Sequence, residues 1–204
     1  MIYKDREERP RLLELVRERT ITYDEFAALP DDGYRYEIAD GKLELMSPSP
    51  SGQHQLISAT LVHAIKQTCG KDYILLSAPM DVILSQTEVR QPDLIVIARE
   101  RKSIVTRRGV EGVPDIVGEI LSPSTRKKDK RDKARVYAKY GVPEYWILDP
   151  ESFTLEQHLL QADGRYDLVE LYEADEPIAS PRLPCASFTM NDIAAEVKDV
   201  FGEA

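Results

Sequence analysis

The segment Asp115-Ile-Val-Gly-Glu-Ile-Leu121 places a glutamate inside a run that is otherwise as apolar as a buried strand. An ionised carboxylate in such a run is costly unless a metal ion, a lysine or several hydrogen bonds compensate it. Alternate residues of a strand share a face, so Asp115, Val117, Glu119 and Leu121 point one way. The chain is therefore constrained to build a sheet that meets Glu119 with a partner. Asp93 is a natural companion, because it opens another Ile/Val-rich run directly after Pro92, at a strand start where proline is tolerated. If the two runs are neighbours, Asp93 and Glu119 converge at one end of the sheet. Structural ion pairs also place acids in sheets, with Glu119 on an arginine and Asp93 capping a turn. Two acids on adjacent strands, followed by a basic helix, favour a functional site.

The surrounding pattern is that of an α/β chain. Residues 11–19 read as a short surface helix within a charged N-terminal extension, residues 1–20. Thr22 and Glu25 form a capping box ahead of a helix that Pro30 ends. Asp40-Gly41 between two alternating runs signals a hairpin. Residues 47–52 read as a rigid polar loop, and residues 53–69 have helical periodicity stopped by Gly70. Strands are predicted at 73–77, 80–84, 93–98 and 115–121, with 99–113 as an exposed charged connection. A helix from Ser124 or Thr125 to Tyr140 precedes a strand over 142–149. A second hairpin, 153–160 and 165–172, flanks Asp163-Gly164, and a short helix begins near Asn191. The expected fold is a mixed central sheet flanked by helices, with hairpins towards both ends, and residues 21–204 form one domain.

Composition narrows the function. With 36 acidic against 27 basic residues the net charge is −9, so the overall field does not attract nucleic acid. Binding to DNA or RNA would need a local basic patch. Cys69 and Cys185 stand far apart and outside any metal-ligand spacing, which reads as two reduced thiols in a cytoplasmic protein. No apolar run approaches a membrane span, and there is no phosphate-binding loop, dinucleotide fingerprint or serine-nucleophile elbow.

Specific motifs add to this reading. They begin with Tyr36-Glu37-Ile38-Ala39-Asp40-Gly41, Ser47-Pro48, His54 and Pro92-Asp93. They continue with Glu119-Ile-Leu-Ser-Pro-Ser-Thr125, Asp129, Lys133, Tyr137 and Gly141-Val-Pro-Glu-Tyr-Trp-Ile-Leu-Asp-Pro150. In this order and spacing the chain, over about residues 22–172, resembles the PD-(D/E)-x-K nuclease superfamily, and within it the Uma-two family of restriction-endonuclease-like proteins. The resemblance implies a restriction-endonuclease-like core and a Mg²⁺-dependent phosphodiesterase site, with Mn²⁺ as a substitute ion. Asp93 and Glu119 would hold the ion, Lys133 would orient the attacking water or stabilise charge, and Glu37 would be a third acid near the metal.

One position departs from the superfamily pattern. The lysine expected two residues after Glu119 is Leu121, and the family pattern points instead to Lys133 on the following helix. Asp129, Lys133 and Tyr137 are spaced by four and share a helix face. Glu37 is otherwise read as a solvent-facing strand glutamate. His54 is either a phosphate contact or a helix cap, with the structural role favoured, while Tyr36, Tyr145 and Trp146 read as core. Residues 126–135 hold seven Lys or Arg and two Asp. Arg126, Lys127, Lys128 and Lys130 are therefore candidates to track a nucleic-acid backbone, as is a second cluster of Arg99, Arg101, Lys102, Arg107 and Arg108. A solvated helix face explains each cluster as economically. The leading expectation is an endonuclease acting on nucleic acid, DNA first, and a homodimer is compatible with such a fold. The competing expectation is a non-catalytic interaction module on a nuclease fold, favoured by Leu121 and the acidic charge.

Overall fold

The computed structural model describes residues 19–30, 33–46, 49–123 and 126–202. The N-terminal surface helix expected over 11–19 falls almost wholly outside them, as do Ser47-Pro48 and the helix start at 124–125. Helix α1, Tyr23–Ala27, opens with the expected capping box, in which Thr22 accepts from the Glu25 N–H and the Glu25 carboxylate accepts from the Thr22 N–H. Strands β1, Tyr36–Ala39, and β2, Lys42–Leu45, form the first hairpin. Asp40 and Gly41 both take positive φ at its tip, the backbone that a two-residue turn between right-twisted strands needs.

Helix α2 spans Gly52–Cys69. It is followed by β3, Tyr73–Ser77, β4, Val82–Ser85, β5, Glu88–Arg90, and β6, Leu94–Ala98. A 3₁₀ segment, Arg99–Ile104, leads to β7, Val110–Glu111, and β8, Ile116–Ile120. A π-helical stretch, Lys128–Lys133, runs into α3, Ala134–Lys139. Then come β9, Glu144–Asp149, β10, Thr154–Leu160, β11, Tyr166–Tyr172, and α4, Met190–Phe201.

The α/β class holds, but the strands divide into two mixed sheets rather than one central sheet. One has the order β2-β1-β5-β4-β7, the other β11-β10-β9-β8-β6-β3. The six-stranded sheet carries the site. Its β8 and β9 are parallel and joined through the helix between them, while β6 pairs antiparallel with β8 in the register Leu94↔Gly118. One face packs Ile116, Ile120, Trp146 and Leu148 against Ile57, Leu61 and Ile65 of α2 and Ile193 and Val197 of α4. The other packs Val117, Leu121, Tyr145 and Ile147 against Tyr137 and Val142. Further along this second face, Ile95 and Ile97 meet Val82 and Val110 of the smaller sheet. Strand β5 had no sequence signal, because it is three residues long and two of them, Glu88 and Arg90, are charged. The connection 99–113 is less exposed than expected, since Val110 is buried and pairs with β4.

The two cysteines are not free thiols. Cys69, at the end of α2, and Cys185, in the segment before α4, form a disulfide across 116 positions of sequence. The packing of α4 against α2 brings them together, which their spacing could not reveal. The expectation of a cytoplasmic chain loses the support it drew from reduced thiols. Among the described residues, no helix is long and apolar enough to cross a membrane.

Candidate active site

The end of β8, the start of α2 and the first hairpin enclose a cleft of about 630 Å³. Asp93, Glu119, Glu37, Lys133, Lys128 and Asp129 all line it. Glu119 reaches it from the middle of the apolar strand, on the side shared with Val117 and Leu121, as the two-residue period demands. Asp93 immediately precedes β6, next to the pair Leu94↔Gly118, so the antiparallel register brings it beside Glu119. Asp93 Oδ2 accepts the Ile120 N–H at 2.8 Å and lies 3.2 Å from His54 Nε2.

Lys133 comes from the helix. Its ammonium lies 2.8 Å from Glu119 Oε1, 3.5 Å from Asp129 Oδ1 and 3.8 Å from Glu37 Oε1. Tyr137, one helical turn further on, donates its hydroxyl to Glu119 Oε1 at 2.9 Å. The i, i+4, i+8 spacing seen in the sequence thus turns Asp129, Lys133 and Tyr137 towards the sheet, the first two from a π-helical stretch. Wide helical turns of this kind frequently sit at functional sites.

Four ionisable side chains here are nearly excluded from solvent: Glu37 is 2%, Glu119 4%, Asp129 1% and Lys133 6% exposed. Their charges do not balance evenly. Burial alone would raise Glu37, but Lys133, Lys128, Arg90 and the Gln91 N–H outweigh it and bring its pKa down to about 2. Glu119 goes the other way: burial raises it, Lys133 opposes, and the charges of Asp93 and Asp129 add to the rise, giving about 8. Lys133 would be lowered by burial, yet Glu119, Glu37 and Asp129 together raise it, so it keeps its proton. His54 is also raised, because the hydrogen bond and charge of Asp93, the Ile120 backbone and the Asp129 charge overcome its desolvation.

Glu37 is not the solvent-facing strand glutamate of the plain reading. It accepts from Arg90 Nη1 at 3.3 Å, Lys128 Nζ at 3.2 Å and the Gln91 N–H at 3.0 Å. His54 does not cap α2; Ser51 does, its hydroxyl accepting the His54 N–H. The basic candidates are mostly held within the chain. Arg126 pairs with Asp149 and Glu151, Lys130 with Glu156, and Lys128 with Glu37 and Glu44, while Lys127 is exposed. Of the second cluster, Arg99 caps the carbonyls of Gly70, Lys71 and Tyr73, Arg101 holds Asp115, and Arg108 holds Asp24. Asp129 had a signal in its helical spacing but no assigned role, and Arg90 and Gln91 had none.

Among the described residues, no group of three His, Cys, Asp or Glu side chains is arranged to hold a metal ion by itself. An ion would rest on two carboxylates and complete its shell with water. That suits Mg²⁺, which takes oxygen ligands, retains several waters and commonly uses one or two carboxylates.

Comparison with known proteins agrees with the fold. A putative nuclease of the DUF820 group from Anabaena variabilis superposes with a TM-score of 0.70 at 22% identity, over 87% of this chain and 99% of that one. The type IIG restriction endonuclease BpuSI aligns over 77% of this chain and 17% of its own, at 13% identity and a TM-score of 0.40, too low to carry an argument. No curated protein matches. The profile of the Uma2 family, described as putative restriction endonuclease, matches residues 23–191, and the chain belongs to that family.

Proposed function

We propose that the protein is a metal-dependent nuclease that hydrolyses phosphodiester bonds of nucleic acid, with DNA as substrate and Mg²⁺, or Mn²⁺ in its place, as the ion. The observation that carries this reading is the convergence of Asp93 and Glu119 from neighbouring strands on one cleft, with the Lys133 ammonium 2.8 Å from Glu119. The donor set is all oxygen, and the Glu119 pKa is raised first by burial and then by the charges of Asp93 and Asp129, against Lys133, a cost to the ionised carboxylate that a divalent cation would relieve. Asp93 and Glu119 would hold the ion, which supplies Lewis-acid polarisation of the phosphate and a lowered pKa for bound water.

The chain's own groups define the remaining steps. Lys133 stays protonated, so it stabilises the charge developing on the phosphate rather than accepting a proton from water. Tyr137 fixes the Glu119 carboxylate, and Asp129 and Glu37 hold the ammonium where Glu119 needs it. His54 and the Ile120 N–H orient Asp93.

The test is cleavage of supercoiled plasmid and labelled oligonucleotides with Mg²⁺ or Mn²⁺, in the presence and absence of chelator. Nicking that chelator abolishes and that Glu119→Gln and Asp93→Asn both lose is the expected result. Ca²⁺ should bind yet support little turnover. Equal background cleavage by wild type and Glu119→Gln would point to a contaminant and to the non-catalytic interaction module. The extensive internal pairing of the basic side chains favours that second reading.

A further inference from the structure

We propose that Arg35 binds the phosphate adjacent to the scissile one, so that the site selects substrates with at least two backbone phosphates. This rests on the nuclease reading above. Among the described residues, the Lys and Arg side chains lining the cleft are Arg35, Lys128 and Lys133. Lys133 is held by Glu119, Asp129 and Glu37, and Lys128 by Glu37 and Glu44. Arg35 has no ion pair and no side-chain hydrogen bond with any described residue, although it is half-buried. A guanidinium in a cleft wall without an acid is a planar fork of donors left open to an anion, the geometry that suits phosphate.

Its placement fits an adjacent phosphate. The Met46 N–H donates to the Arg35 carbonyl at 2.9 Å, so the β1–β2 ladder extends back to Arg35. Strand alternation then puts Arg35 on the same side as Glu37, two residues on and about 6.6 Å away along the strand. Glu37 lies 3.8 Å from Lys133. Arg35 therefore stands one step out from the acid and lysine cluster along the wall, roughly the stride between successive phosphates of a nucleotide chain. Of the residues expected to follow a backbone, Arg126, Lys128, Lys130, Arg101 and Arg108 each pair with an acid of this chain, and none of Arg99, Arg101, Lys102, Arg107, Arg108, Arg126, Lys127 and Lys130 lines the cleft. Within the cleft, anchoring is accordingly local, one phosphate beside the reacting one.

The experiment has a binding arm and a selectivity arm. In the first, wild type, Arg35→Ala and Arg35→Lys are titrated with a fluorescent oligothymidylate in Ca²⁺ across a salt series. Wild type should show a shallow salt dependence, and Arg35→Ala should lose about tenfold in affinity. The slope of log affinity against log salt should fall by about 0.7 for a single strand, the value of one phosphate contact. Arg35→Lys should recover part of both, because it restores the charge without the fork. In the second arm, wild type in Mg²⁺ should cleave thymidine trinucleotide in preference to the dinucleotide, which has one phosphate, and Arg35→Ala should lose that preference. Thermal melting of each variant reports whether it folds, and Arg35→Gln substitutes if alanine does not. An unchanged slope and an unchanged preference in a folded Arg35→Ala protein, with wild type active, would overturn the role of Arg35 alone. A wild type that neither binds nor cleaves would overturn the nuclease reading and this proposal with it.

Discussion

Glu119→Gln tests the central electrostatic claim without relying on activity. The substitution keeps the shape of the side chain and an oxygen for the Tyr137 hydroxyl, but removes the titratable proton. Glu119 is raised from 4.5 to about 8 by burial and by its acidic neighbours. An acid whose folded pKa is raised contributes stability that is complete below its unfolded pKa and is lost as the pH climbs through its folded pKa. At about 1.4 kcal/mol per unit, the whole effect has a ceiling on the order of 5 kcal/mol. About 3 kcal/mol of that falls between pH 5.5 and 8.5. His54, also raised, titrates with the same sign, so the wild-type slope alone is not diagnostic. The difference between wild type and variant is. Glu37, brought down to about 2, titrates below this window and leaves the comparison clear. Urea unfolding at intervals from pH 5.5 to 8.5 should find the variant gaining on the wild type by about 3 kcal/mol across the range. Millimolar Mg²⁺ at pH 8.5 should then stabilise the wild type and leave the variant nearly unmoved, closing the gap. A constant difference across the range, or one that favours the wild type as pH rises, would mean that Glu119 is already ionised as the simple partner of Lys133. Burial and the acidic neighbours would then not hold Glu119 protonated into the neutral range.

Three other perturbations report on separate parts of the site and fold. Lys133→Ala should lower cleavage about 100-fold or more while Mg²⁺ binding, followed by calorimetry, persists. It should also destabilise by about 3–5 kcal/mol, because it leaves buried carboxylates without their cation. Glu37→Gln should remove about 3 kcal/mol of acid sensitivity between pH 4.5 and 2, since a depressed carboxylate gives stability above its unfolded pKa that is lost as pH falls through about 2. Acid titrations of wild type and variant that superimpose would contradict it. Replacing both Cys69 and Cys185 by serine should cost about 2–4 kcal/mol in urea unfolding, and reductant should have little effect on the variant while lowering the wild type.

The sequence carried the parts of this site that depend on local periodicity. Period-two alternation put Glu119 on the side of Leu121, and four-residue spacing put Asp129, Lys133 and Tyr137 on one helix face; both relations hold in the structure. The hairpin at Asp40-Gly41 and the capping box at Thr22 were legible because each is a few residues in contact with themselves. What depends on long-range closure was not. The division into two sheets turns on β5, too short and too polar to register, whose Arg90 reaches Glu37 across 53 positions of sequence. The disulfide depends on how α4 lies against α2, and the ion pairs of Arg126, Lys128 and Lys130 on which acids β2, β9 and β10 bring opposite the helix. A run of basic residues announces charge but not whether that charge is already answered.

The departure at Leu121 is best understood through what its side of the sheet must do. That face of β8 has to bury Val117 and Leu121 against Tyr137, Tyr145 and Ile147, and it also has to hold a carboxylate between them. A lysine at 121 would put its stem where Leu121, 1% exposed, now packs against those aromatic rings. Supplying the ammonium from the helix separates the two demands: the strand keeps an apolar neighbour for Tyr137, and Lys133 reaches Glu119 from the helix. The cost is a cation whose position depends on a helix rather than on the strand that bears the acid. The ring of Asp129, Glu37 and Tyr137 offsets it, since these groups fix the Lys133 ammonium and the Glu119 carboxylate from three different elements. On the proposed nuclease reading, Leu121 in place of lysine would be a relocation of the same charge to Lys133, 2.8 Å from Glu119.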